Sequence, residues 1–360
     1  MRYTFILMLL LVLVAIVYIY YRVFTILPLP TWAKYSVIGL MVCAFASIFI
    51  SYLFSNKLSF SVVSFFYEVG NSWIFIMLYL FMIFIVLNIL CLCHILPSSI
   101  LHNNLTSTLS ILGVMLVVFI YGNIHYKHKV RQPLVAKTEK KIDSPKKIVM
   151  ISDLHIGYHN QRKDLAKWIS LIEKEEPDMV LIAGDIIDFS LRPIMQQEDY
   201  KEFKRIKAPI YACLGNHEYL ANEKQAEEFY SLSGITLLRD SVAVNDNVVI
   251  IGRDDRSNSQ RKTVKELTAN IDTSKYIILL DHQPYHLEEA QINNIDFQFS
   301  GHTHYGQMFP INLITDIIYE KAFGEYFKGK TQYYVSSGLG IWGAKFRVGT
   351  RSEYIVFTLQ

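Results

Sequence analysis

Residues 148–155, Ile148-Val149-Met150-Ile151-Ser152-Asp153-Leu154-His155, form a short apolar run that stops on a carboxylate and an imidazole two positions apart. An apolar run without polar alternation fits a strand buried on both faces. Residues 163–175 follow with helical periodicity, and residues 179–183 form a second such run that ends on Gly184-Asp185, with Asp188 just beyond. A third, 210–214, ends on Gly215-Asn216-His217-Glu218. Further strands are expected at 248–251, 276–280, 297–299, 333–335 and 354–358. Strands alternating with helical segments predict an α/β domain, and ligands in such domains collect beyond the carboxyl ends of the strands.

Two more polar clusters follow the same rule: His282 after Leu279-Leu280-Asp281, and Gly301-His302-Thr303-His304 after the run that ends near Phe299. Singly, an Asp-x-His at a strand end is more often a cap or a satisfied polar group. Five clusters in order, each closing an expected strand and together holding five of the seven histidines between 147 and 360, point instead to one converging centre. Carboxylate, carboxamide and imidazole are ligands for divalent cations. Gly184, Gly215 and Gly301 are expected to bend the chain so that the next side chain turns inward. His159 and His286 are left as non-ligands, and Asp188, Glu218, Asp254 and Asp255 as capping or supporting groups.

Outward from these clusters the composition divides sharply. The chain has 360 residues and is 52% hydrophobic, with 35 Lys+Arg against 32 Asp+Glu, yet residues 1–125 hold only Arg2, Arg22, Lys34, Lys57 and Glu68. Uncharged runs at 3–21, 35–54, 72–95 and 106–122 are long enough to span a bilayer, so residues 1–125 are expected to form a multi-pass anchor of about four helices. Tyr18, Tyr20, Tyr21 and Arg22 stand where a signal peptide would need small residues, so the first run reads as a span. Residues 58–67 are apolar but short, and predict an interfacial loop. No ionisable residue falls at a span centre, which argues for an anchor over a transporter.

Residues 126–146 read as a basic linker, and 147–360 as the globular domain; 126–148 carries eight cations against two anions, whereas the remainder is −6. An acidic domain acting on anions needs bound cations to reverse its local field, and lacks the basic surface of a nucleic-acid binder. Arg2, Lys57, Lys127, Lys129 and Arg131 on one side, against Arg22 and Lys34 on the other, predict a cytoplasmic domain. Cys213 is the single thiol of that domain, so no disulfide forms within it.

The clusters match, in order, D-x-H, G-D-x-x-D, G-N-H-[DE], a lone His and G-H-x-H, and here the sequence resembles the calcineurin-like metallophosphoesterase superfamily. The likeness runs from about Lys147 to the C-terminus; Tyr334-Val335-Ser336-Ser337-Gly338-Leu339-Gly340 and residues 347–353 are similar to its bacterial membrane-attached branch, which resembles phosphodiesterases and lipid-precursor pyrophosphatases. The resemblance implies a four-layer α/β/β/α sandwich with a dinuclear centre. One ion would be held by Asp153, His155, Asp185 and His304 and the other by Asp185, Asn216, His282 and His302, with Asp185 bridging and His217 protonating or stabilising the leaving oxygen. A hydroxide shared by the ions would attack phosphorus in line. Mn, Fe and Zn suit these ligands almost equally.

The implied substrate is a phosphodiester or pyrophosphate, in a phosphorylated small molecule or a lipid-linked one, with the lipid bilayer as partner and no nucleic acid. A non-catalytic membrane receptor or scaffold and a metal-dependent nuclease are the alternatives. Tyr305 stands where the branch usually has glycine, and Ala344-Lys345 where a proline-containing segment is common, so the cleft and its rim are expected to differ. Between 309 and 342 apolar residues concentrate among lysines; core packing and docking on a bilayer both account for them.

Overall fold

A computed structural model describes residues 2–360, which fall into two units that divide between Tyr121 and Gly122. The first contains α1 (Arg2–Ile26), α2 (Thr31–Leu53), α3 (Phe60–Leu92) and most of α4 (Leu105–Lys127), all long and apolar enough to cross a membrane. Residues 58–67 are not the expected interfacial loop: α3 starts at Phe60 and continues for 33 residues. No proline interrupts it, and its one glycine is a packing position, since a Cβ on Gly70 would lie 2.4 Å from the Ile48 backbone nitrogen of α2.

In the second unit, β1 (Lys129–Ala136), β2 (Lys146–Ile151), β3 (Met179–Ala183), β4 (Ile210–Cys213), β5 (Thr236–Leu237) and β12 (Ser352–Leu359) form one sheet, ordered β1-β12-β2-β3-β4-β5. The other consists of β6 (Ser241–Asn245), β7 (Val248–Gly252), β8 (Tyr276–Leu280), β9 (Phe297–Ser300), β10 (Gly324–Lys328) and β11 (Thr331–Val335), ordered β10-β11-β9-β8-β7-β6. Pairing is parallel except for β12 with β2, β10 with β11 and β6 with β7.

The burial explains the unbroken apolar runs. Successive side chains of a strand face opposite ways. Ile148, Met150, Met179 and Leu181 point between the sheets, towards Ile250, Ile278, Phe297 and Phe299. Val149, Ile151, Val180 and Ile182 point outward, where α5 (Arg162–Lys174) and the helix Glu223–Ser233 cover them with Leu165, Trp168, Ile169 and Phe229. On the far side, the helices Val264–Thr268 and Glu288–Ile292 cover Ile251, Ile277 and Leu279. The result is the expected α/β/β/α order of layers. Cys213 is buried between the sheets.

Residues 126–146 are not a linker. β1 pairs in parallel with β12 along its whole length, from Lys129 with Ser352 to Ala136 with Leu359, and only His128 separates it from α4. Its cations hide a half-buried strand: Leu134 and Ala136 are buried, and Arg131 Nε donates to Glu175 at 2.8 Å. Lys129 Nζ lies 3.7 Å from the Tyr126 ring centre and 5.0 Å from that of Trp168, and burial pushes its pKa well below the usual lysine range. A fragment that starts at Lys146 therefore lacks an edge strand.

Asp199, ahead of the short helix Tyr200–Phe203, is fully buried, and neither carboxylate oxygen has a hydrogen-bond partner among the described residues. Burial raises its pKa to about 7 despite the nearby Arg162. Because the folded value exceeds the unfolded one of about 3.9, the ionised group opposes folding increasingly as pH rises from 4 through 7. Asp199→Asn is expected to raise the stability of the full chain by up to about 4 kcal/mol at pH 8 and to change it little near pH 4. Thermal unfolding in detergent at the two pH values measures this; an equal shift at both would contradict it.

Candidate metal centre

Every residue of the five sequence clusters sits where a parallel strand delivers its carboxyl end. β2 leads to Asp153 and His155, β3 to Asp185, β4 to Asn216 and His217, β8 to His282, and β9 to His302 and His304. Hydrogen bonds join these ends. Asp153 N–H donates to Gly184 O at 3.1 Å, and Gly301 N–H to His282 O at 2.9 Å. Across the two sheets, His282 Nδ1 donates to Ala183 O at 2.7 Å, and His302 N–H to Asp153 Oδ1 at 3.0 Å.

Gly184 bends the chain as expected, with φ 74°, but the other two glycines act differently. A Cβ on Gly215 would lie 2.1 Å from Asp185 Oδ1, and one on Gly301 2.3 Å from Asp153 Oδ2, so these two admit close approach rather than a bend. The unusual backbone is carried by the functional residues themselves: Asp153, His155, Asp185, His302 and His304 all have φ between 45° and 69°. Left-handed backbone at non-glycine residues persists only where the surroundings fix it.

Three groups of converging donors result: Asp153 with His155 and His304, Asp185 with His282 and His302, and His155 with Asp185 and His217, the ligand atoms in each lying within 4.8 Å of one another. Asp185 Oδ2 is 3.6 Å from His155 Nε2 and 3.1 Å from His282 Nε2, which puts it between the two halves of the cluster. Asn216 Oδ1 lies 3.2 Å from His282 Nε2 and 2.8 Å from His302 Nδ1. His217 donates from Nδ1 to Asp188 O at 2.6 Å, and its backbone N–H donates to Asp185 Oδ1 at 2.9 Å. Its ring centre is 4.5 Å from that of His155, closer to the centre than a purely peripheral group would be.

Charge in the cluster is unevenly held. Burial works against the Asp185 carboxylate, but His282, His217 and His155 together keep its pKa well below the usual range. Burial raises Asp153. Burial opposes protonation of His217 and His282 too, yet Asp185 above all raises both, whereas burial and neighbouring imidazoles lower His302 to about 4 and hold His304 well down. His155 Nε2 and His304 Nε2 face each other at 3.0 Å, with Asp153 Oδ1 3.4 Å from the latter. Asp188 Oδ1, 3.5 Å from His155 Nδ1, favours the tautomer whose lone pair is at Nε2. Facing lone pairs and buried carboxylates form a donor set that a cation satisfies, and oxygen and nitrogen without thiolate suit divalent metal ions. These residues fit such ions.

The remaining candidates have structural partners. His159 is buried, with Nε2 2.7 Å from Ile341 O, and burial lowers its pKa to about 4; His286 is exposed beside Glu288. Glu218 accepts from the backbone N–H groups of Asp185, Ile187 and Gly215, and so ties the second and third clusters together. Asp254 accepts from Tyr219 and Arg239, and Asp255 from Gln283. Tyr305 stacks on Phe323, ring centres 4.8 Å apart, and donates to Asp316.

Three residues support the centre in ways no local spacing indicates, although the first, Arg347, opens the stretch 347–353 that resembles the membrane-attached branch. Arg347 is fully buried; Nη1 donates to His304 O at 2.6 Å, Nη2 to Ser337 O, and its backbone N–H to Gly122 O at 2.9 Å. Tyr126 donates to Asn160 Oδ1 at 2.7 Å, and Asn160 donates in turn to Leu154 O, between Asp153 and His155. The last turns of α4 thus support the loops of two clusters through contacts that follow no local spacing. Arg347→Met is expected to weaken metal retention about 10–100-fold, with Arg347→Lys recovering part of it. Chelator competition checks this; unchanged retention in Arg347→Met would contradict it.

Comparison with known proteins gives the following. Residues 146–306 match the family model described as calcineurin-like phosphoesterase. An uncharacterised metallophosphoesterase of Campylobacter jejuni is 32% identical over 265 residues, 69% of this chain and 68% of that protein. One of Aquifex aeolicus is 33% identical over 229 residues, 59% of this chain and 85% of that protein. A Danio rerio protein described as a transmembrane protein with metallophosphoesterase domain is 28% identical over 232 residues, 59% of this chain and 53% of that protein.

Proposed function

The chain belongs to the calcineurin-like metallophosphoesterases, and from that premise we propose that it is a membrane-anchored hydrolase that uses two divalent ions to cleave a phosphodiester or pyrophosphate bond. The observation that carries this reading is the placement of Asp185 between two sets of donors, with His155 Nε2 on one side and His282 Nε2 on the other. Asp153, His155, Asp185 and His304 would hold one ion, and Asp185, Asn216, His282 and His302 the other. When bound, such ions supply an activated water nucleophile and offset charge on the phosphoryl oxygens. Mn, Fe and Zn all suit these ligands.

The chain's own groups do the rest. His217 has Nδ1 committed to Asp188 O, so its Nε2 is the atom left to donate a proton to the departing oxygen. Its backbone N–H holds Asp185 Oδ1, which ties the proton donor to the bridging carboxylate. Glu218 fixes the relative positions of the loops that carry both.

The substrate in this reading is a phosphorylated or nucleotide-linked lipid, supported by four membrane-length helices in the same chain, and the bilayer is the partner. The excess of Lys and Arg at one set of helix ends supports a cytoplasmic domain, and the acidity of residues 149–360 argues against nucleic acid. The test is a parallel assay of the metal-loaded full chain in detergent micelles on bis-p-nitrophenyl phosphate, p-nitrophenyl phosphate and a nucleoside-diphospho-lipid. Higher kcat/KM on the diester or the pyrophosphate than on the monoester is expected. Preference for the monoester would contradict the bond assignment, and no metal-dependent hydrolysis of any of the three would contradict the hydrolase.

A further inference from the structure

The eight-residue helix α12 (Ile311–Ile318) follows the His302/His304 cluster after one turn, and its apolar side is uncovered. Ile317 is 84% exposed, and Leu313, Ile314 and Ile318 are each more than half exposed; the inward position is Thr315. Phe309 before the helix, Phe327 on the edge strand β10 and Trp342 are exposed as well. Elsewhere in the domain, after α4, the exposed large apolar residues are Val135, Leu220, Ile292 and the pair Val242 and Val244 on edge strand β6. Here four stand on one helix of eight residues, a few positions after the His302/His304 cluster. A contiguous apolar surface of that kind marks an interaction site.

Chain connectivity identifies the occupant. Phe309 N–H donates to Val348 O at 2.8 Å, and the neighbouring Arg347 N–H donates to Gly122 O, in the last turns of the membrane-length helix α4. Asn123 Nδ2 donates to Lys345 O at 3.0 Å, three residues after Trp342. α12 and Trp342 are therefore tied to Gly122 and Asn123, the first residues of the second unit. Only His128 separates α4 from β1 in the chain. Lys321 and Lys330 on the same stretch suit a surface of lipid headgroups, and Trp342 suits the interfacial level.

We propose that α12 lies in the headgroup region of the bilayer that the chain itself spans, with Leu313, Ile314, Ile317 and Ile318 entering the acyl boundary. The arrangement seats the cleft entrance at the lipid surface and presents it to head groups of molecules resident in that leaflet. It rests on the membrane attachment and not on the substrate proposed above.

Depth-dependent fluorescence quenching tests it in the full chain. Single cysteines at Leu313, Asp316 and Ile317, and at Val244 on β6, the edge of the second sheet opposite β10, are placed in a background with Cys43, Cys91 and Cys93 replaced by alanine; Cys213 is buried. Each is labelled with a polarity-sensitive dye in vesicles of phosphatidylethanolamine and phosphatidylglycerol that carry doxyl-labelled lipid. Quenching several-fold stronger at 313 and 317 than at 244, with 316 between, is the expected result. Quenching at 317 no stronger than at 244 would overturn the proposal, as would a dye at 317 shielded from water but not quenched by lipid, which marks a protein partner or a second copy. Neither outcome depends on turnover, so hydrolysis with an unquenched helix would overturn the docking and leave the hydrolase standing.

Discussion

Asp185→Ala is expected to leave the purified full chain with at most one loosely held ion and to lower phosphodiester turnover by a factor on the order of 10⁴ or more. Asp185 is the one carboxylate that approaches both halves of the centre, His155 Nε2 at 3.6 Å and His282 Nε2 at 3.1 Å. Every other donor belongs to one half, so its removal weakens a single site. Asp185→Asn keeps the shape and the acceptor for His217 N–H but removes the charge, and should fall between wild type and Asp185→Ala in metal content. Elemental analysis of the three proteins is the measurement. Two tightly held ions in Asp185→Ala would remove Asp185 from its bridging role.

His217→Ala should do the opposite, retaining both ions and losing turnover by about 10²–10⁴-fold, with kcat and kcat/KM falling together. The contrast is informative because His217 stands within ligand distance of His155 and Asp185, so geometry alone would allow it to bind metal. Its Nδ1 contact with Asp188 O, which leaves Nε2 to face the substrate, favours proton donation. A leaving group with a low pKa needs no proton. The loss should therefore be smaller for a p-nitrophenyl ester than for an alkyl ester, a difference that a merely structural role would not produce. Loss of metal from His217→Ala would make it a ligand.

The layers and the centre were legible in the sequence because each rests on a strong local signal. Strands buried on both faces appear as unbroken apolar runs, and the polar residue that ends each run sits at a strand terminus, so Asp153, Asp185, Asn216, His282 and His302 are readable from the sequence as strand-end residues. What failed lacks such a signal. β1 reads as a charged linker because Lys129 is buried against the Tyr126 and Trp168 rings and Arg131 is paired with Glu175, contacts between residues distant in the chain. Among the described residues its one strand partner is β12, more than two hundred positions away. Arg347 lies in a stretch that resembles the family branch, but its role shows only in space, where its guanidinium donates to His304 O. The helix at 311–318 is apolar enough to pass for core, and only its exposure distinguishes a surface from an interior.

The dependence of hydrolysis on metal stoichiometry bears most directly on the centre as a whole. The full chain is stripped with chelator and titrated with Mn²⁺ while bound metal and bis-p-nitrophenyl phosphate hydrolysis are followed together. Two ions bound per chain, with turnover rising only as the second site fills, is the predicted result. Full turnover in the metal-free chain, or with a single ion bound, would contradict a centre in which Asp185 joins two sites.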